Sequence, residues 1–216
     1  MFMVKDVKEK KRVLTEAEKR RLAHYEKLSE EYEARGFRRT ELTVGIVRAN
    51  IFAILYGIPL SILGFVLFFM KNNDVNLMRM SFSKLILLMV LMVILVVVHE
   101  LVHGITWSFF TENHWKDIEF GFMKEYLTPY CTCACPLTRG QYIIGTLMPL
   151  VLLGLIPLAA AIMAGSYLWL WLGIIMTMSA GGDILIVINI LKYKSQAAQV
   201  VYIDHPTQAG GVIFEK

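Results

Sequence analysis

Fourteen consecutive apolar residues, Leu85 to Val98, run directly into His99-Glu100-Leu101-Val102-His103. No soluble element of ordinary size buries such a run on all sides, and three more stretches share its character. Ile51 to Met70 is apolar for about one bilayer crossing, Leu85 to Phe110 is longer and holds the motif, and Ile143 to Ala164 and Tyr167 to Ile190 follow. Each is near or above the roughly 20 residues a helix needs to span hydrocarbon. With a hydrophobic content of 56% and a mean hydropathy of +0.53, the chain is too oily for a soluble domain of 216 residues. The expected fold class is an all-α membrane protein of four transmembrane helices. Pro59 in the first span, and Pro149 and Pro157 in the third, predict kinks or freed carbonyls.

The expected organisation has three parts. Residues 1–45 form a cytoplasmic N-terminal segment with an amphipathic helix, 46–192 a four-helix membrane core, and 193–216 a cytoplasmic C-terminal tail. Glu16 to Arg35 has helix-forming composition, with Leu14, Ala17, Arg21, Leu22, Tyr25, Leu28 and Tyr32 as a partial apolar stripe. This helix either lies on the membrane or the core, or serves as a solvated linker. The first apolar run lies too far along the chain for a cleavable signal peptide. Basic residues Arg35, Arg38, Arg39 and Arg48 precede the first span, Lys116, Lys124 and Arg139 lie in the second connection, and Lys192 and Lys194 follow the fourth span. The other side carries Lys71, Arg79 and Lys84. The bias predicts a multi-pass protein of the cell membrane with both termini, and the 111–141 connection, in the cytoplasm. A net charge of +4 with interspersed signs and no basic patch laced with aromatics excludes nucleic acid as a partner.

Residues four apart share one face of a helix, so His99 and His103 can point at one ion. Glu100 sits one position round, where it can take a proton from water on that ion. The bland alternative is a helix seam in which hydrogen bonds satisfy all three. Catalytic zinc usually takes three protein ligands, and Asp183 is the one acid in the last two spans. His99 lies roughly 24 Å into the second helix and Asp183 roughly 22 Å into the fourth, at 1.5 Å per residue. Both helices start on the same side, so the residues meet at one level, nearer the cytoplasmic face. An intramembrane carboxylate is costly unless paired or metal-bound; a proton relay or a structural hydrogen bond is the other role open to Asp183. Gly181 and Gly182 allow close helix approach or local opening of the backbone.

Ile118, Phe120 and Phe122 alternate, as do Cys131, Cys133 and Cys135 within Tyr126 to Cys135. A period of two predicts two short strands or a re-entrant hairpin between the second and third spans. Its edge could pair with an extended substrate segment. The cysteines could pack as small residues, hold a second metal or act in redox chemistry. Glu112 and His114 fit an interfacial loop, and His24 and His205 have no clustered partners.

With His99-Glu100-Leu101-Val102-His103-Gly104, Gly181-Gly182-Asp183, Phe120-Gly121, Thr128-Pro129-Tyr130, Cys135-Pro136-Leu137 and Gln141-Tyr142, the chain resembles a family of membrane proteins described as putative zincin peptidases. The resemblance covers roughly Phe82 to Lys192. It implies zinc-dependent peptide hydrolysis related to intramembrane metalloproteases of the site-two type, whose pattern of a motif helix plus a later aspartate is matched by His99, Glu100, His103 and Asp183. The chain departs from that group in having Ile184 after the aspartate, no Asn-Pro before it and no inserted peptide-binding domain. The expected cofactor is Zn2+, held by His99, His103 and Asp183, with Glu100 as the catalytic base. Expected partners are membrane lipid and a membrane protein or peptide substrate, with an oligomer or an accessory membrane partner left open. The rival is a non-proteolytic membrane protein, a metal transporter or a structural subunit, using the same cluster.

Overall fold

The computed structural model describes residues 14–73, 81–123 and 128–216. Arg79, Lys124 and Tyr126 lie outside the described residues. Helix α1 (Glu16–Ala34) starts at a capping box: the Thr15 hydroxyl accepts from Glu18 N–H while the Glu18 carboxylate accepts from Thr15 N–H. That reciprocal pairing satisfies two donors and fixes where the helix begins. Strand β1 (Arg38–Thr43) follows, then α2 (Ile46–Asn72), which runs unbroken through Pro59, and α3 (Phe82–Ser108). A 3-10 turn at His114–Asp117 leads into β2 (Ile118–Met123) and β3 (Thr128–Cys133), an antiparallel hairpin with Phe120 opposite Cys131.

The third apolar stretch is α4 (Arg139–Pro149), a π-helical turn (Leu150–Leu155) and α5 (Ile156–Ala164). Proline cannot donate to the turn before it, and the register changes at Pro149, as the sequence predicts. The fourth stretch is two helices, α6 (Tyr167–Ser179) and α7 (Gly181–Lys192), bent by 45° between them. Gly181 permits the bend to sit against α2, since a Cβ there would lie 2.4 Å from Ala53 Cβ. Among the described residues, three helices are thus long and apolar enough to cross a membrane, and four if the bent pair counts as one. Ile51, Leu55, Ile58 and Ile62 on α2, and Met89, Val93 and Val97 on α3, are exposed. An apolar surface of that extent belongs against lipid, not water.

The protein is mostly helical, and to the expected hairpin the described residues add three further strands. Besides the hairpin, β4 (Val200–Asp204) and β5 (Gly210–Glu215) pair with each other and with β1 in the order β1-β5-β4, all antiparallel. The segments before and after the helices therefore close into one sheet, joined at one end by the ion pair between Arg38 and Glu215. Gly210 has φ +108°, and a Cβ there would lie 2.4 Å from the Leu42 carbonyl, so this turn admits only glycine without strain. Helix α1 lays Tyr25 and Tyr32 on the sheet against Phe37, Ile203, Val212 and Phe214. It packs on the body of the protein and is not a solvated linker.

Candidate metal centre

His99 and His103 lie one turn apart near the end of α3, both buried, with ring centroids 4.9 Å apart. Asp183 stands in the first turn of α7, where the helix N-terminus favours a negative charge. Its Oδ2 is 3.1 Å from His99 Nε2 and its Oδ1 is 3.6 Å from His103 Nε2. Each of the three offers one ligand atom, and these atoms lie within 4.8 Å of one another. Among the described residues no other such cluster of His, Cys, Asp and Glu occurs. The bend between α6 and α7 brings Asp183 to both rings without a continuous fourth helix.

The donor set fits zinc. Zinc bonds of about 2.0–2.2 Å in a tetrahedron place ligand atoms about 3.3–3.6 Å apart, close to the two His–Asp separations. His103 Nδ1 lies 2.8 Å from the Gly145 carbonyl, which can only accept, so Nδ1 donates there and Nε2 is the nitrogen on the Asp183 side. A cavity of about 250 Å³ reaches the cluster and is lined also by Glu100, Trp107, Tyr130, Cys131 and Asp204. Glu100 lies beside the hairpin, on the same cavity wall as Cys131.

The hairpin is held against the motif helix by an absent side chain. A Cβ at Gly104 would lie 2.6 Å from Phe120 Cζ, 2.9 Å from Ile118 Cγ2 and 3.2 Å from Cys131 Sγ. On its far side the hairpin is anchored by Asp204, whose Oδ2 accepts from Cys133 N–H at 2.8 Å and whose Oδ1 accepts from the Tyr142 hydroxyl. Burial raises the Asp204 carboxyl above its ordinary value, against the pull of these two donors. Burial likewise pushes the Cys131 and Cys133 thiols well up, and that of Cys135 to about 12. All three are free, and burial disfavours their thiolate forms.

His114 donates to or accepts at no cluster atom; its Nδ1 meets the Ser108 carbonyl at 3.0 Å, so Nδ1 donates there. His205 lines the cavity, but its Nδ1 accepts from the Thr207 and Gln208 amides and closes the turn between β4 and β5. Arg21 of α1, buried, also lines the cavity, with Nε donating to the Pro206 carbonyl, Nη2 to the Tyr130 hydroxyl, and the guanidinium over the Tyr130 ring. Sequence reasoning placed Arg21 in an apolar stripe, and a charge in such a stripe is the signal that it meets a buried partner. Asp204 was missed, although Val200 to Asp204 and Gly210 to Phe214, separated by His205-Pro206 and glycine, carry the pattern of a hairpin.

A family model described as "Putative zincin peptidase" matches residues 91–198, half of the chain, and spans the motif, the hairpin and Asp183. No curated protein and no solved structure matches the chain.

Proposed function

The chain belongs to the family described as putative zincin peptidases, and from that premise we propose a zinc-dependent endopeptidase embedded in the cell membrane, cutting peptide bonds near the cytoplasmic face. The observation that carries the proposal is the approach of one carboxylate, Asp183, to both motif imidazoles at 3.1 and 3.6 Å. His99, His103 and Asp183 would hold the zinc. Bound there, zinc supplies a Lewis acid that polarises a peptide carbonyl and makes water nucleophilic at neutral pH.

Glu100 accepts the proton of the attacking water and returns it to the leaving amine. Its carboxylate lies in the cavity lining with the two motif histidines and Cys131. β3 has β2 on one side only, and Pro129, Tyr130, Cys131 and Thr132 line the cavity. That supports an extended substrate segment, from a membrane protein or a peptide, laid along this edge. The basic residues flanking the spans favour both termini and the hairpin on the cytoplasmic side, with lipid as the surrounding partner.

Zinc stoichiometry of the purified protein tests the ligand set. Asp183→Ala and His103→Ala should each lose zinc, and undiminished zinc in either sinks that assignment. Glu100→Gln should keep zinc and lose hydrolysis by about 10²–10⁴-fold; equal cleavage by this variant defeats the mechanism.

A further inference from the structure

One residue of α4, Gly145, meets two of α3 that lie four apart, His103 and Trp107. In an α-helix each carbonyl receives the amide four residues on, so the Gly145 carbonyl would take its bond from residue 149. Residue 149 is proline and has no N–H. The next amide, that of Leu150, bonds the Leu147 carbonyl, and the chain passes into the π-helical turn. The Gly145 carbonyl is thereby released from the helix ladder in the interior, where an acceptor without a donor is costly. Its donor is His103 Nδ1, at 2.8 Å.

A neutral imidazole carries one proton. Placed on Nδ1, it leaves Nε2 bare, and Nε2 is the nitrogen on the Asp183 side. The second pair fixes the ring plane. A Cβ at Gly145 would lie 1.9 Å from Trp107 Nε1, so only glycine lets the indole press on α4. From there the indole stacks on His103, with centroids 5.2 Å apart and planes 16° apart.

We infer that Pro149 is a positioning residue for His103: by withholding an amide from the Gly145 carbonyl, it reserves that acceptor for Nδ1–H and presents Nε2 to the metal. The inference rests on the reading of His103 as a ligand, and its test is chosen to separate the two. The His103 tautomer is read by long-range 15N–1H correlation in metal-free, 15N-histidine-labelled protein in detergent, at a pH where the ring is neutral. The resonance is assigned by its loss in His103→Gln.

The parent should carry its proton on Nδ1; a parent with the proton on Nε2 overturns the inference without any variant. Pro149→Ala restores a competing amide and should shift the population toward the Nε2–H tautomer, with zinc affinity, measured against a chelator, weakened about 10-fold. An unchanged tautomer in a folded Pro149→Ala protein overturns the inference whatever happens to zinc, because loss of packing alone would lower affinity without moving the proton. A shifted tautomer with unchanged zinc affinity overturns the positioning role. Failure of the metal-centre reading shows separately, as a parent that binds no zinc.

Discussion

Substituting Gly104 by alanine adds one methyl between the motif helix and the hairpin. To reach an ordinary van der Waals separation of about 3.5 Å, Phe120 Cζ, now 2.6 Å from the new Cβ, must give by about 0.9 Å, and Ile118 Cγ2, at 2.9 Å, by about 0.6 Å. Phe120 is 42% exposed and its ring can swing outward, whereas Ile118 is 7% exposed and has packed neighbours behind it. Part of the strain must therefore move the hairpin itself. Overpacking of this kind costs about 1–3 kcal/mol, and a displacement near 1 Å of a substrate-positioning strand costs about 100-fold in turnover.

None of the three proposed ligands is touched, so zinc stoichiometry should remain that of the parent. The assays are thermal unfolding in detergent, zinc content and cleavage of a peptide substrate. A lowered Tm and a large loss of turnover with full zinc content are expected. Parental turnover in Gly104→Ala would refute the claim that the hairpin is seated on the motif helix as part of the site. Loss of zinc would refute the separation between the hairpin and the metal ligands.

Asp204→Ala leaves the Tyr142 hydroxyl and the Cys133 amide without their acceptor; at about 1–3 kcal/mol for each stranded group, stability should fall by several kcal/mol, as chemical denaturation would show, and a loss under about 1 kcal/mol would contradict the anchoring role. His205 is held below its ordinary value of 6.5, chiefly by burial. The unfolded chain therefore binds a proton near pH 6.5 that the folded one refuses, and stability is full above pH 6.5 and declines as pH falls below it. His205→Asn should flatten that part of the stability profile, and an unaltered slope would assign it to other groups.

The approach of His99, His103 and Asp183 to one another was legible in the sequence. Helical spacing places His99 and His103 on one face, and counting rise along an unbroken fourth helix sets Asp183 at their level; the contacts at 3.1 and 3.6 Å bring the three together, but across a bend that the count did not include. The alternation from Ile118 to Cys133 was enough to expect the hairpin. Less legible was the bend at Ala180, because Gly181 reads as close packing or as opening, and only the position of Ala53 on α2 decides between them.

What the sequence determined by itself was periodicity: apolar runs of bilayer length, a histidine pair four residues apart, a strand pattern of two. These depend on the chain's own neighbours and are written locally. Tertiary structure alone decided which distant groups complete them. It joined β1 to β5 across the whole membrane core, carried Asp204 to the hairpin, and set the Gly145 carbonyl against His103. Such pairings satisfy buried donors and acceptors by proximity in space, and a group's need for a partner leaves no mark in the sequence of where that partner lies.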